Sequence, residues 1–303
     1  MLINKEKSKL VLVTGATGFL GSHLVKRLLA EKYQVIILKR SFSNTERIND
    51  ILSNLSIYDI DKCDLETPFY DHKKIDVVIH TATCYGRKNE SITDVLETNT
   101  LFPLKLLEIA TFFKADTFFN TDTILSKYIN SYSLSKKHFL DWGKQFAVTK
   151  KIHFINLKLE QIFGEGDNSS QFVNHVIRSF LSNVEELKLT QGEQKRDFIY
   201  IADVVSAYMV LLSNIQLNSS FFIEYEIGSG QAISIKEFVQ LIHNLTKSKT
   251  RLSFGSLPYR QGEIMCSEAS IKPLLKMGWQ PQYSLESGLC KTMDYELQHL
   301  YPN

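Results

Sequence analysis

A tyrosine and a lysine four residues apart are the side chains in this sequence with the clearest capacity for acid–base chemistry. Tyr132 and Lys136 open a segment with helical character, and residues at this spacing share one face of a helix. A cation beside a phenol favours the phenolate and therefore lowers the pKa of the tyrosine towards neutrality. Such a tyrosine can give a proton to a carbonyl oxygen. The pair is common by itself, so its meaning depends on the elements that position it.

The segment Leu10–Gly21 predicts a buried strand that turns sharply into a helix. Free backbone N–H groups and the positive end of the helix can hold a pyrophosphate at such a turn, provided that glycine leaves room for it. Gly15 allows the turn, Gly18 the close approach, and Gly21 the packing of the helix on the strand. We therefore predict a dinucleotide site, and its contacts include Gly15, Thr17, Gly18, Phe19 and Leu20.

The end of the second strand indicates which dinucleotide binds. The buried pattern Gln34–Leu38 leads to Lys39, Arg40 and Ser41. NAD sites usually place a carboxylate here, whereas cations and a hydroxyl suit the 2′-phosphate of NADP. We therefore predict NADP(H), with a solvated surface pair of cations as the alternative interpretation. A third strand is predicted within residues 57–65, and the adenine edge is assigned to Asp59 and Ile60, in preference to Asp64 and Leu65.

The fourth and fifth strands are predicted to bring polar residues to one edge of the sheet. The strand Asp76–His80 runs into Thr81 and Ala82, and the strand Thr117–Phe119 ends in the polar run Asn120–Thr123. The carboxyl ends of parallel strands form the ligand crevice of an open sheet. We predict that these residues line the crevice, except that His80 is a packed strand residue and not a catalyst.

The loop and helix after the fourth strand supply further candidates. Tyr85 and Arg87 lie in a polar loop from which they can reach a substrate. A helix is predicted over approximately residues 91–113, with Asn99 inside it and a bend at Pro103.

Composition excludes several other classes of protein. The 303 residues are 44% hydrophobic and 22% charged, as in an ordinary soluble globular chain. The net charge of +2 and the lack of a long basic run argue against nucleic-acid binding. The four cysteines show no metal-ligand or paired spacing, which suits free thiols in a reducing compartment: Cys63, Cys84, Cys266 and Cys290. We expect a cytoplasmic protein with no signal peptide, membrane insertion or metal.

Together these motifs resemble the extended short-chain dehydrogenase/reductase family, which contains nucleotide-sugar epimerases, dehydratases and ketoreductases. The resemblance covers nearly the whole chain, because an Arg-Asp-Phe motif at 196–198 and the segment 259–281 also match. It implies an α/β fold, with a doubly wound parallel Rossmann sheet in residues 1–163 that is completed by segments near 196–228. It also implies a smaller α/β lobe for the nucleotide sugar, mainly in residues 164–303.

The resemblance further implies roles for single residues. Thr121 would hydrogen-bond the substrate carbonyl, Tyr132 would exchange the proton, and Lys136 would tune Tyr132 and hold the nicotinamide ribose. Further cofactor contacts would be Lys39, Arg40, Ser41, Asp59, Ile60, Thr81, Ala82 and Asn99. Substrate contacts would be Tyr85, Arg87, Asp122, Thr123, Gln161, Arg196, Arg260 and Glu263.

Two arginines facing one anion suit a diphosphate, because guanidinium groups bind phosphate oxygens in pairs. Arg196 and Arg260 are assigned this role by the resemblance, and surface salt bridging is the alternative interpretation for both.

Departures from the family pattern narrow the implied activity. Sugar 4,6-dehydratases follow a similar Thr-Asp pair with a glutamate that takes a proton, but this chain has Thr123 there, which cannot act as that base. The segment between Thr121 and Tyr132 is short, and Gln161 replaces the usual asparagine. The short segment, the Thr-Asp-Thr triplet at 121–123 and the cationic end of the second strand together resemble reductases of CDP- or dTDP-linked 4-keto-6-deoxyhexoses, which serve deoxysugar and O-antigen synthesis.

The resemblance leaves two other functions open. One is a nucleotide-sugar 4-epimerase that retains NAD, and the other is a non-catalytic NADP(H) sensor. Relatives dimerise through helices that match residues 91–113 and 132–150, so a homodimer is also implied.

Overall fold

Strands and helices alternate along the first half of the chain. The computed structural model describes residues 9–214, 220–260 and 262–300. In chain order the strands are β1 (Leu10–Thr14), β2 (Gln34–Lys39), β3 (Ser56–Asp59), β4 (Val77–His80), β5 (Thr117–Thr123), β6 (His153–Leu159), β7 (Gln161–Phe163), β8 (Glu186–Lys188), β9 (Lys195–Tyr200), β10 (Phe222–Ile227), β11 (Ala232–Ser234) and β12 (Arg251–Ser253). The helices are α1 (Phe19–Ala30), α2 (Thr67–Asp71), α3 (Ile92–Leu96), α4 (Phe102–Phe112), α5 (Ser131–Val148), α6 (Phe172–Leu181), α7 (Ile201–Ser213), α8 (Ile235–Thr246), α9 (Lys272–Lys276) and α10 (Leu285–Leu300).

Seven of the described strands form one sheet in the order β10-β6-β5-β4-β1-β2-β3. Strand β1 pairs in parallel with both β2 and β4, and the pairs β2–β3 and β4–β5 are also parallel. The chain therefore moves outward from β1 on one side and then returns to its other side. This reversal between β1 and β4 is where open parallel sheets bind ligands. The predicted doubly wound parallel sheet is confirmed.

Backbone contacts divide the chain into two units. The first comprises the residues up to Lys158 together with Leu211–Tyr225, and the second comprises Leu159–Val210 and the residues from Glu226 onward. Smaller sheets of the order β11-β9-β7 and β12-β8 complete the described strands. Of the segment predicted near 196–228, β10 joins the large sheet, whereas β9 lies in the three-stranded one. The predicted boundary at residues 163/164 stays a prediction. Among the described residues, no helix has the length and apolar character needed to cross a membrane.

The segment around Asn99 is less regular than the single bent helix predicted over residues 91–113. A π-helical turn at Glu97–Leu101 separates α3 from α4. Pro103 lies in the first turn of α4 and has no N–H to donate. It therefore stands where the π-helical hydrogen bonds give way to α-helical ones. Asn99 lies in the π-helical turn, and its buried side chain is hydrogen-bonded to Cys84 and Ser135.

Strand β5 is longer than the sequence pattern predicted. The apolar residues end at Phe119, but the strand continues through Thr123, and all seven residues are buried. The polar residues remain in the sheet because tertiary partners satisfy them: Asn120 donates to the Asn156 side chain at 2.7 Å, and Asp122 accepts from Lys137 at 2.7 Å.

The turn between β1 and α1 depends on close backbone contacts. Gly15 has a φ of +71°, and a Cβ on it would lie 2.6 Å from the backbone nitrogen of Ala82. A Cβ on Gly21 would lie only 2.1 Å from the carbonyl oxygen of Gly15. Both contacts involve backbone atoms, so a side chain at either position forces the turn itself to move.

We therefore expect Gly21→Ala to lower the free energy of unfolding by about 1–3 kcal/mol, the usual cost of overpacking. It should also weaken nicotinamide-cofactor binding, because the Gly15 carbonyl must shift. The matched control is Gly143→Ala, whose Cβ would lie 2.1 Å from the Phe154 ring, within the core. Urea unfolding and cofactor titration of both variants check this. Equal loss of cofactor affinity in the two variants would contradict it.

Candidate active site

The start of helix α5 positions the tyrosine and the lysine. Asn130 caps the helix by accepting from the backbone N–H of Ser133 at 2.8 Å, and the Ser133 hydroxyl accepts from the Asn130 N–H at 3.2 Å. This reciprocal cap begins the helix immediately before Tyr132. One turn later Lys136 is 2% exposed.

Aromatic and hydroxyl side chains surround Tyr132. The Tyr85 ring lies against the Tyr132 ring with centroids 5.0 Å apart, and the Arg87 guanidinium lies 5.3 Å from the Tyr85 ring centroid. The Tyr132 phenol is hydrogen-bonded to the side chains of Thr83 and Thr123. Tyr85, predicted from the loop sequence, therefore contacts Tyr132 directly, and Arg87 contacts the Tyr85 ring.

The pKa of Tyr132 is raised well above its ordinary value, so the expected lowering is wrong for the protein without cofactor. Burial is the largest cause, and the negative potential of Tyr85 and Asp122 adds to it, while the hydrogen bonds from Thr83 and Thr123 oppose it. A buried phenolate costs more free energy than a neutral phenol. Tyr132 is therefore a neutral phenol at neutral pH in this form of the protein, as a free tyrosine is.

The pKa of Lys136 is shifted in the opposite direction, below its ordinary value. Burial lowers its pKa to about 8, the charge of Asp122 partly opposes this, and the neighbouring Lys137 reinforces it. The ammonium is thus only moderately favoured at neutral pH, and the charge of Asp122 helps to keep it protonated.

The buried charge of Lys136 should make the stability of the cofactor-free protein depend on pH. The pKa of Lys136 is about 8 in the folded chain against 10.5 for a free lysine, so the unfolded chain binds more protons between these values and stability rises with pH across that window. At about 1.4 kcal/mol per pKa unit, the charge lowers the free energy of unfolding by roughly 3 kcal/mol at neutral pH. We expect Lys136→Met to be more stable than the parent at pH 7, with the difference shrinking above pH 8.

Urea unfolding at neutral and alkaline pH measures this difference. Lys74→Met is the control, since it removes an exposed ion pair with Asp116 (2.8 Å) and should lower stability at neutral pH. A Lys136→Met variant less stable than the parent at neutral pH would contradict the expectation.

Strand β5 separates its polar residues onto two faces. Successive side chains of a strand alternate, so Thr121 and Thr123 share the face on which Thr123 reaches Tyr132. Asn120 and Asp122 lie on the other face, towards Asn156 of β6. Thr121 is thus on the Tyr132 side, where the resemblance requires it. Asp122 lies on the opposite side, although it was predicted to contact substrate.

Asn99 connects three segments of the site. Its side-chain amide donates to the carbonyl of Cys84 at 2.8 Å and to the Ser135 hydroxyl at 3.0 Å, and its oxygen accepts from the Cys84 N–H at 2.8 Å. The loop after β4 is thereby held against α5. Thr83 and Ser135 were not predicted from the sequence, because small hydroxyl residues carry no distinctive signal.

Residues at the end of β4 pack against the glycine turn. The Thr81 hydroxyl donates to the Thr14 carbonyl at 2.7 Å, and Ala82 lies next to Gly15. His80 is fully buried, and its Nδ1 lies 2.8 Å from the Thr14 hydroxyl. This burial confirms the prediction that His80 is a packed strand residue, and it lowers the pKa of the imidazole well below its ordinary value.

Two of the three residues predicted to bind a 2′-phosphate are held by carboxylates. The Lys39 ammonium lies 2.5 Å from an Asp59 oxygen, and the Ser41 hydroxyl donates to Asp61 at 2.6 Å. Arg40 is exposed and lies over the Phe42 ring at 4.9 Å. The prediction at Asp59 and Ile60 remains a prediction, and the carboxylate of Asp59 faces Lys39.

The second unit contains the residues predicted to bind the diphosphate. Arg196 of β9 forms an ion pair with Glu263, so two predicted contacts are neighbours. Arg260 is exposed, as is Gln161 at the start of β7. The roles of all these residues stay predictions.

Comparison with known proteins supplies the deciding observation. The model of the NAD dependent epimerase/dehydratase family matches residues 11–228. The chain belongs to this family. It is 36% identical over 295 residues to CDP-abequose synthase of Salmonella muenchen, covering 95% of this chain and 98% of that protein. It is 34% identical to CDP-abequose synthase of Salmonella typhimurium, covering 92% and 95%.

A solved epimerase/dehydratase structure agrees with the fold. UDP-glucose 4-epimerase of Thermotoga maritima, crystallised with UDP-glucose, has a TM-score of 0.85 at 23% identity and covers 96% of this chain and all of that one.

Proposed function

We propose that this protein uses NADPH to reduce the 4-keto group of a CDP- or dTDP-linked 4-keto-6-deoxyhexose. The observation that carries the proposal is the placement of the proton donor. Tyr132 holds its proton between two threonine hydroxyls, one turn before the buried Lys136. The 36% identity to CDP-abequose synthase over almost the whole chain supports the same class of substrate.

The proposed mechanism assigns a step to each side chain. Bound NADPH supplies a hydride to carbon 4. As the carbonyl becomes an alcohol, Tyr132 gives its proton to the oxygen, and the Thr121 hydroxyl donates a hydrogen bond to the same oxygen. The Lys136 ammonium stabilises the tyrosinate that remains, and solvent returns the proton. Arg196 and Arg260 bind the diphosphate.

Elimination of water is disfavoured by the surroundings of Asp122. Thr123 follows it where dehydratases carry a glutamate, and the Asp122 side chain has no exposed surface. A carboxyl group without access to substrate cannot donate a proton to a leaving hydroxyl. Simple reduction therefore fits this chain better than dehydration.

A 4-epimerase that retains NAD is the second candidate. The contacts of Lys39 with Asp59 and of Ser41 with Asp61 favour it, because carboxylates near the adenosine ribose repel a 2′-phosphate.

The deciding experiment mixes purified protein with NADPH and CDP- or dTDP-linked 4-keto-6-deoxyhexose. Loss of reduced-nicotinamide absorbance in proportion to sugar reduced, with NADH as the comparison, is expected. Isomerisation of the sugar without net oxidation, together with NAD released from denatured protein, would establish the epimerase. If the protein catalyses neither reaction, the non-catalytic NADP(H) sensor is the remaining function.

Cofactor choice can be tested at Arg40. We expect Arg40→Ala to raise the KM for NADPH several-fold and to leave the KM for NADH nearly unchanged, because only NADPH carries the 2′-phosphate. Arg27→Ala on α1, whose guanidinium pairs with Glu31 at 2.6 Å, is the surface control. An equal change for both cofactors would contradict the assignment.

The proposal includes a cytoplasmic homodimer. Helices α4 and α5 carry exposed apolar side chains that suit an interface: Phe112, Trp142 and Val148. Sedimentation equilibrium tests the dimer, and a monomer at micromolar concentration would contradict it.

A further inference from the structure

Asp122 is sequestered beneath the proposed active site. Its side chain has no exposed surface, and three donors satisfy its two oxygens. Lys137 Nζ lies 2.7 Å from one oxygen, Asn156 Nδ2 lies 3.1 Å from the same oxygen, and the backbone N–H of Thr123 donates to the other at 2.7 Å. A carboxylate with these contacts accepts hydrogen bonds from the protein's own groups and has no room for a substrate hydroxyl.

Lys137 joins the helix of Tyr132 to the end of β5. Besides its ion pair with Asp122, its ammonium donates to the Thr123 carbonyl at 2.7 Å. Both backbone polar groups of Thr123 are thus held, the N–H by Asp122 and the carbonyl by Lys137. The hydroxyl of the same Thr123 is hydrogen-bonded to the Tyr132 phenol. The ion pair therefore holds a direct partner of the proton donor.

The network continues away from the site through Asn156. The Asn156 amide also donates to Glu224 at 2.8 Å, and Glu224 pairs with Lys158 at 2.9 Å. The charged and titratable groups that face the pair are thus Tyr132, Lys136, Glu224 and Lys158. Within the hydrogen-bonded network the carboxylates of Asp122 and Glu224 are balanced by the ammonium groups of Lys137 and Lys158, which makes a buried pair tolerable.

We propose that Asp122 and Lys137 are positioning residues, a buried ion pair that holds Thr123 against Tyr132 and sets the charge around Lys136 without exchanging a proton with substrate. This inference rests on the proposed function, because it concerns the same proton transfer. It also separates this chain from an enzyme in which this aspartate donates a proton to a leaving hydroxyl, because that role requires the carboxyl group to face the substrate.

The two members of the pair act on Lys136 in opposite directions. The carboxylate of Asp122 raises the pKa of Lys136, and the ammonium of Lys137 lowers it. Removing the Asp122 charge should therefore lower the pKa of Lys136, and removing the Lys137 charge should raise it. A residue with only a structural role would not produce opposite shifts.

The test measures kcat against pH for Asp122→Asn, Lys137→Met, the double variant and Lys137→Arg, each corrected for the folded fraction. We expect the alkaline limb to move to lower pH in Asp122→Asn and to higher pH in Lys137→Met. The fold-loss of kcat in the double variant should be smaller than the product of the fold-losses in the two single variants. Lys137→Arg should keep the parental dependence of kcat on pH. Loss of all turnover in Asp122→Asn, with Lys137→Met unaffected, would overturn the proposal, since Asp122 would then act on substrate. An unmoved pH profile in both single variants would also overturn it.

A second measurement separates this proposal from the proposed function. NMR of lysine-labelled protein, with the Lys136 signal assigned by its absence in Lys136→Met, reports the titration of Lys136 without turnover. Opposite shifts in the two variants support the positioning role even if no sugar is reduced. Identical titration in the parent and both variants contradicts the role even if the reductase assay succeeds.

Discussion

Replacing Tyr132 with phenylalanine is expected to lower kcat for keto-sugar reduction by about 10²–10⁴-fold, the usual contribution of a positioned general acid. The substitution removes one oxygen and keeps the ring, so the contact with Tyr85 remains. The hydroxyls of Thr83 and Thr123 lose a partner but not their positions. The affinity for cofactor should therefore change little, and the loss should fall on kcat.

Stopped-flow or steady-state NADPH oxidation, combined with cofactor titration, measures these two quantities separately. Tyr128→Phe is the matched control, because Tyr128 is 84% exposed and precedes the same helix. Turnover in Tyr132→Phe within a few-fold of the parent would contradict the assignment of Tyr132 as proton donor. A parallel loss in Tyr128→Phe would show that the effect is not specific to the site.

Lys137→Met is expected to lower the free energy of unfolding by about 3–5 kcal/mol, the cost of leaving a buried charge without its partner. Asp122 has no exposed surface and Lys137 is 13% exposed, so water cannot replace the ammonium without opening the core. The Thr123 carbonyl loses a donor as well. Asp122→Asn should cost less, since it removes the buried charge itself.

Urea unfolding at neutral pH measures the effect. Lys127→Met is the matched control, since Lys127 pairs with Asp141 of α5 at 3.0 Å but both side chains are solvent-accessible, at 33% and 57%. An exposed pair of this kind is worth about 0–1 kcal/mol. Equal destabilisation by the two substitutions would show that the Asp122–Lys137 pair is not effectively buried. A larger loss in Asp122→Asn than in Lys137→Met would contradict the uncompensated carboxylate as the cause.

Much of the fold could be predicted from short stretches of sequence. The glycine turn at Leu10–Gly21 combines a buried strand, backbone room and a helix within twelve residues, and each of these is a local property. The individual parallel strands were indicated by their buried apolar pattern, and the family resemblance implied a doubly wound sheet; the order of the strands in that sheet comes from the structure. The spacing of Tyr132 and Lys136 predicted a shared helix face for the same reason, since the period of the helix does not depend on distant residues.

The environment of the candidate site could not be predicted in this way. Lys137 resembles an ordinary helix-surface residue, and nothing within its own segment indicates that it pairs with Asp122. The same holds for Lys39 and Asp59, which are twenty residues apart and meet only because β2 and β3 are neighbours.

The sequence by itself determined that this chain has a parallel sheet with a dinucleotide turn, and which tyrosine and lysine share a helix. Tertiary structure alone decided that burial raises the pKa of Tyr132, that Lys136 has a pKa of about 8, and that Asp122 is sequestered by Lys137. The physical reason is that backbone geometry and periodicity act over a few neighbouring residues. Burial and charge interactions instead depend on which distant segments pack together.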